Sequence, residues 1–166
     1  MSIFDGELRS LPEGILIDTN ILVLLILGAV DRDAISRFKR TKRFIPEDFD
    51  LARRFISNFN KLGTTPSILT EASNLLNELT PPLSETVLLA MAQWIAVTIE
   101  RYVPSRELVL LPHYSKLGLA DASISAAASS NYLVLTDDFK LSQVLESSGM
   151  QVVNFNHLRG IQWTGR

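Results

Sequence analysis

LADASISAAASSNYLVLTDDFKLSQVLESSGMQVV, residues 119–153, decides the fold class. Leu119–Ser130 reads as a helix of small residues, with Ala120, Ala122, Ala126, Ala127 and Ala128, able to pack very close to a sheet. Tyr132–Leu135 reads as a strand, Phe139–Leu145 as a helix and Gln151–Val153 as a second strand. Helix and strand alternating in this way is the pattern of a parallel α/β sheet. Acids sit at its junctions: Asp121 in the first turn of the alanine-rich helix, Asp137 and Asp138 just past the strand and Thr136. Ligands of open α/β sheets bind beyond the carboxyl ends of the strands.

Upstream, Gly14–Ile17 is a short apolar run, read as a buried strand. Asp18-Thr19-Asn20 ends it and caps a helix expected from about Ile21 to Leu27, with Gly28 at its end. Residues 1–13 read as a polar arm. Residues 31–61 read as helical and more polar, with Pro46 separating a stripe of Ala34, Ile35 and Phe38 from one of Leu51, Phe55, Ile56 and Phe59. Gly63-Thr64-Thr65 is a brief strand. Pro66 then suits the first turn of a helix to about Leu79, with Thr65 as its cap, and Pro81 and Pro82 break it. Ser84 to Tyr102 reads as one long helix, apolar through Val87, Leu88, Met91, Trp94, Ile95 and Ile99, and so buried either in the core or between subunits. Leu108–Leu111 is a strand or an extended loop. There is no internal repeat and no low-complexity linker.

At 166 residues a single domain is expected, and 46% hydrophobic against 20% charged residues allows a sizeable core. The absence of cysteine excludes disulfides, zinc–thiolate sites and thiol catalysis. The two histidines, His113 and His157, are too isolated for a zinc site. No Gly-rich phosphate loop and no Gly-x-Ser-x-Gly elbow is present. The most apolar stretch, Ile21–Val30, is shorter than the roughly 20 residues a membrane helix needs, and its upstream flank lacks the basic start of a signal peptide. No membrane partner and a cytoplasmic location are expected. The formal charge of −2 means that any nucleic acid is held by a local basic patch.

Four acidic positions carry the chemistry. Asp18 follows an apolar strand, where it serves as helix cap or as ligand. Glu71 lies three residues after Ile68 and four before Leu75, on one helical face with both, and a carboxylate within an apolar stripe is costly to bury unpaired. Asp121 lies where the helix dipole favours anions. Asp137 and Asp138 compete for the fourth place. Each position has a capping or solvent-facing explanation on its own; the set points to one site. Carboxylates gathered at one sheet edge repel one another and call for a cation, and hard oxygen ligands suit Mg²⁺ or Mn²⁺.

These residues, in this order, resemble the PIN-domain family of metal-dependent nucleases. The family pattern has an early Ile-Asp-Thr-Asn, a Glu in a mid-chain helix, a late Asp-Ala-x-Ile helix start and a Thr-x-Asp after the next strand. Here they are Ile17-Asp18-Thr19-Asn20, Glu71, Asp121-Ala122-Ser123-Ile124 and Thr136-Asp137-Asp138, matching over about residues 14–155. The resemblance implies a three-layer α/β/α sandwich with a central parallel sheet. It implies an acidic cleft in which Asp18, Glu71, Asp121 and Asp138 hold one or two Mg²⁺ or Mn²⁺ ions, with Asp137 as the alternative fourth ligand. Asn20 and Thr136 would orient ligands or water. It implies endoribonuclease activity on an RNA substrate, a homodimer, and in many members the toxin role of a VapC-like toxin–antitoxin pair with a small antitoxin protein as partner.

The segment before Glu71 is longer and more basic than in the family's shorter members. It holds Arg32, Arg37, Lys39, Arg40, Lys42, Arg43, Arg53 and Arg54. Either these form a solvated helix face, or Arg37, Lys39, Arg40, Lys42 and Arg43 contact phosphates. The thr-x-Asp spacing favours Asp138 as the fourth ligand, leaving Asp137 to cap the helix near Phe139. Dehalogenase-type phosphatases and phospho-receiver domains fit less well, because Thr19-Asn20 follows Asp18 where they need further acids. The alternative from another class is a non-catalytic PIN-like binding or regulatory module.

Overall fold

The computed structural model of the protein describes residues 12–128 and 131–164; most of the expected N-terminal arm, residues 1–11, lies outside them. The fold is α/β, a five-stranded all-parallel sheet with helices packed around it. In chain order the elements are β1 (Gly14–Ile17), α1 (Thr19–Val30), α2 (Ala34–Arg37), α3 (Pro46–Ile56), β2 (Leu62–Thr64), α4 (Pro66–Leu76), α5 (Leu83–Val97), β3 (Ile99–Glu100), α6 (Ser105–Leu108), α7 (Tyr114–Leu117), α8 (Leu119–Ala128), β4 (Tyr132–Thr136), α9 (Phe139–Ser147), β5 (Val152–Asn154) and α10 (Phe155–Thr164). The sheet order is β3-β2-β1-β4-β5.

This order fixes where a ligand belongs. From β1 the chain steps outward to β2 and β3, then returns to β4 on the other side of β1 and steps outward to β5. The direction reverses between β1 and β4, the topological switch point of an open α/β sheet. β1 and β4 are buried along their whole length, as continuous apolar strands covered on both faces must be. Ile15, Leu16 and Ile17 pair with Leu133, Val134 and Leu135.

α1 is the buried centre of its helical layer, packing on α3, α4 and α5. Gly28 does not end it. The helix runs on to Val30 and is closed by Asp31. Gly28 is there for packing: a Cβ at this position would lie 2.4 Å from Phe49 Cδ2. The alanine-rich α8 packs on β4, β1 and β2, as its small side chains allow. Among the described residues no helix is long and apolar enough to cross a membrane.

Three expectations are corrected. The long helix ends at Val97; Thr98 is extended and Ile99–Glu100 pairs with β2 as the edge strand β3. The run Val97-Thr98-Ile99 is β-branched, which favours extended backbone over helix. Full burial of that helix within the chain is limited to Ser84, Val87 and Met91, with Leu88 and Trp94 half-buried against the core and Leu89, Ile95 and Val97 exposed. Leu108–Leu111 is neither strand nor extended loop but the end of α6 and the turn after it. α10, which the sequence reading lacks, buries Phe155 and Leu158 and is tied to α3 by Arg159 on Asp48.

Candidate carboxylate site

The acids gather at the switch point. The Asp18 amide donates to Leu135 O (2.9 Å), extending the β1–β4 ladder by one rung and placing its side chain at the sheet's carboxyl edge. Asp18 caps α1, its Oδ1 accepting from the Thr19 amide at 2.7 Å. Its Oδ2 accepts from Thr136 Oγ1 at 2.5 Å, and Thr136 Oγ1 in turn accepts from the Asp138 amide at 3.0 Å. Thr136 therefore joins the ends of β1 and β4. Cap and ligand roles are compatible here, because each carboxylate oxygen accepts one hydrogen bond and keeps further lone-pair capacity.

Glu71 stands differently from its expected setting. It is exposed, at the margin of the stripe made by buried Ile68 and half-buried Leu75. No buried unpaired carboxylate arises. Its Oε2 accepts from Thr19 Oγ1 at 2.9 Å, so Thr19 links Glu71 to the cap at Asp18. The helices bearing Glu71 and Asp121 are tied at their starts: Thr65 Oγ1, which caps α4, lies 3.0 Å from Ser123 Oγ in α8. Asp121 is half-buried in the first turn of α8.

At the end of β4 the capping roles are the reverse of those expected. Asp138, not Asp137, caps α9: its Oδ1 accepts from the Leu141 amide at 2.9 Å and its side of the chain is exposed. Asp137 turns inward, its side chain only 4% exposed, with Oδ1 accepting from Asn20 Nδ2 (3.1 Å) and Oδ2 paired with Arg43 (2.5 Å). The cause is tertiary. Asn20 and Arg43 supply donors where the first residue past the strand points, and Asn156 Nδ2 holds the Asp137 carbonyl at 3.0 Å. Thr136 and Asn20 thus each donate to an acid of the group.

The electrostatics show like charges without a full complement of cations. Burial pushes the Asp18 carboxyl up to about 7; Asp121 and Asp137 add to the rise, while the hydrogen bonds from Thr136 and Thr19 oppose it. Burial likewise raises Asp121 to about 6, helped by Asp138 and Glu71 and opposed by Lys140. All five acids are therefore within electrostatic reach of at least one other. Among the described residues, however, no three His, Asp or Glu side chains stand together in a way that holds a metal ion as they are oriented.

The basic segment is mostly engaged elsewhere. Arg32 pairs with Asp50, Arg37 with Asp31, and Lys39 and Arg40 with Glu78. Arg43 is the member that reaches the acids. Sequence reasoning missed Thr19 and Asn156 as parts of the site. Thr19 lies inside the Asp-Thr-Asn run. Asn156 follows β5 at the same sheet edge, a position that strand order alone marks. No protein family's sequence profile matches the chain, and a comparison with curated proteins found no match.

Proposed function

We propose that this protein is a PIN-type, metal-dependent endoribonuclease that hydrolyses RNA phosphodiester bonds. The observation that carries the reading is the gathering of Asp18, Glu71, Asp121, Asp137 and Asp138 at the β1/β4 switch point, with Asp18 and Asp121 raised by burial and by neighbouring carboxylates. Perturbed acids at a sheet's carboxyl edge are a feature of catalytic sites. The five-stranded parallel order is compatible with the motif resemblance.

The donor set fits a hard divalent cation, since it offers carboxylate oxygens alone. Asp18, Asp121, Glu71 and Asp138 would hold Mg²⁺ or Mn²⁺, once Glu71 turns from Thr19 and Asp138 from its helix cap. A bound ion supplies a lowered pKa for water and charge neutralisation at the phosphate. The chain's own contribution is positioning. Thr19 N–H and Thr136 O–H fix both oxygens of Asp18, so its carboxylate presents one orientation. Asn20 and Arg43 fix Asp137. Deprotonated Asp18 and Asp121 are unfavourable without added positive charge, which couples ion binding to proton release.

The test is cleavage of single-stranded RNA by pure protein with Mn²⁺, its arrest by EDTA, and its loss in Asp18→Asn. Full activity in purified Asp18→Asn would overturn the site. A homodimer and a small antitoxin partner belong to the same reading, and a copurifying small protein that abolishes cleavage would support the toxin role.

A further inference from the structure

The basic segment and the carboxylates meet at one well-held side chain. Arg43 lies in the connection between α2 and α3, and one nitrogen of its guanidinium contacts Asp137. The Arg43 side chain is 51% exposed while that of Asp137 is 4% exposed. One edge of the guanidinium thus meets a buried carboxylate, while half of the side chain remains exposed beside the acid group.

Its position is set from several sides. Arg159 Nη2 donates to the Arg43 carbonyl at 3.1 Å, and Arg159 Nε donates to the buried Asp48 at 2.9 Å. The guanidinium groups of Arg43 and Arg159 lie over the Phe44 ring at 5.0 and 5.4 Å, and Phe44 itself is buried edge-on against Phe155. A long side chain on a surface connection normally loses rotamer entropy when a ligand fixes it. Here much of that ordering exists beforehand. A guanidinium has five N–H donors in a planar fork, a geometry matched to phosphate oxygens.

We propose that Arg43 is the residue of the basic segment that contacts a phosphate of the RNA substrate, with Asp137 and Arg159 as positioning residues that hold it at the edge of the acid group. The inference rests on the nuclease reading. It separates Arg43 from Arg37, Lys39 and Arg40, whose partners Asp31 and Glu78 lie outside the acid group.

The experiment measures KM and kcat for a short single-stranded RNA with Mn²⁺ over a NaCl series, together with the Mn²⁺-induced rise in melting temperature. Arg43→Ala is expected to raise KM by about tenfold or more, the loss of one charge-assisted hydrogen-bonded contact. The slope of log(kcat/KM) against log salt should fall by about 0.7, one phosphate contact to a single strand. Its Mn²⁺-induced rise should persist. Arg43→Lys should restore the slope and only part of the KM. Lys39→Ala with Arg40→Ala should keep the wild-type slope. Should Arg43→Ala fail to fold, Arg43→Gln gives the same comparison. An unchanged KM and salt slope, even with a lowered melting temperature, would overturn the role of Arg43 while leaving the nuclease reading intact. A wild type that neither binds nor cleaves RNA would overturn both.

Discussion

Two charged regions of this molecule solve opposite problems. On the outer segment around residues 31–61, four cations stand in complementary pairs: Arg40 and Lys39 hold the Glu78 carboxyl down at about 2, and Arg32 and Arg37 have acids of their own. At the sheet edge, acids sit beside acids, and Asp18 and Asp121 are raised instead. The outer pairs cost little and contribute little, because water screens them. The inner group costs stability, and buried like charge persists where something other than stability selects for it. Charge density alone therefore misleads. The nine cations of residues 31–61 attract notice in the sequence, yet Arg32, Arg37, Lys39 and Arg40 are met by surface acids, and the carboxylates raised by burial and like charge lie at the sheet edge.

The sharpest way to break this contrast is Asp18→Asn. Metal-dependent RNA cleavage is expected to be lost while the fold persists. The metal-free protein should also gain stability at neutral pH. The sign follows from the two raised carboxyls. Asp18 and Asp121 titrate near 3.8 when unfolded, but near 7 and 6 when folded. Between about pH 4 and 7 the folded state keeps protons that the unfolded state has released, so stability falls as pH rises through that window. The loss is on the order of a few kcal/mol. Glu78 acts outside the window, since its lowered pKa removes stability only as pH falls from 4.5 toward 2. Thermal melts in EDTA at pH 5 and pH 8 decide it: wild type should melt higher at pH 5, and Asp18→Asn should narrow the gap. A wild type equally stable at both would mean that the inner charges are already compensated.

Next in size is the response to the ion. Mg²⁺ or Mn²⁺ binding only the folded state raises its stability by mass action. The rise in melting temperature should be larger at pH 8 than at pH 5, where protons compete, and smaller in Glu71→Gln than in wild type. An equal rise in both proteins would remove Glu71 from the ligand set and leave it as the partner of Thr19.

Strand and site legibility differed for physical reasons. β1 and β4 announced themselves because strands buried on both faces are continuous apolar runs, and the acids that follow them were visible in the same glance. β3 was hidden: two exposed residues at the end of a helix-like apolar pattern have no periodicity to show. α10 was hidden because, among its described side chains, only Phe155 and Leu158 mark a buried side. The reversed roles of Asp137 and Asp138 were unreadable locally. Which of two adjacent acids turns inward depends on Asn20, 117 residues away, and on Arg43.

That reversal gives a smaller, separable effect. Asp138→Ala removes both a charge and the α9 cap and should lower stability by roughly 0.5–2 kcal/mol, whereas Asp138→Asn keeps a good capping group and should cost much less. If Asp138 also serves as a ligand, both variants lose cleavage alike. Cleavage lost in both, with stability lost only in Asp138→Ala, separates the cap from the charge; full cleavage in Asp138→Asn would hand the fourth place to Asp137.

The smallest effect is expected where the charges are most conspicuous. Lys39 and Arg40 converge on Glu78, with Arg40 donating through two nitrogens at 2.9 and 2.6 Å. The geometry is good, yet the side chains of Lys39 and Arg40 are 63% and 44% exposed. Removing both cations takes away attraction that solvent already screens and frees two long side chains to move. Lys39→Ala with Arg40→Ala should therefore leave the melting temperature, the Mn²⁺-induced rise and the cleavage rate close to wild type, and any small loss of stability should vanish in high salt. Melts at low and high NaCl beside a cleavage assay test this. A strong, salt-sensitive loss of cleavage with unchanged stability would show that the outer pairs also hold the substrate, and the division between a balanced outer surface and an unbalanced inner site would fall.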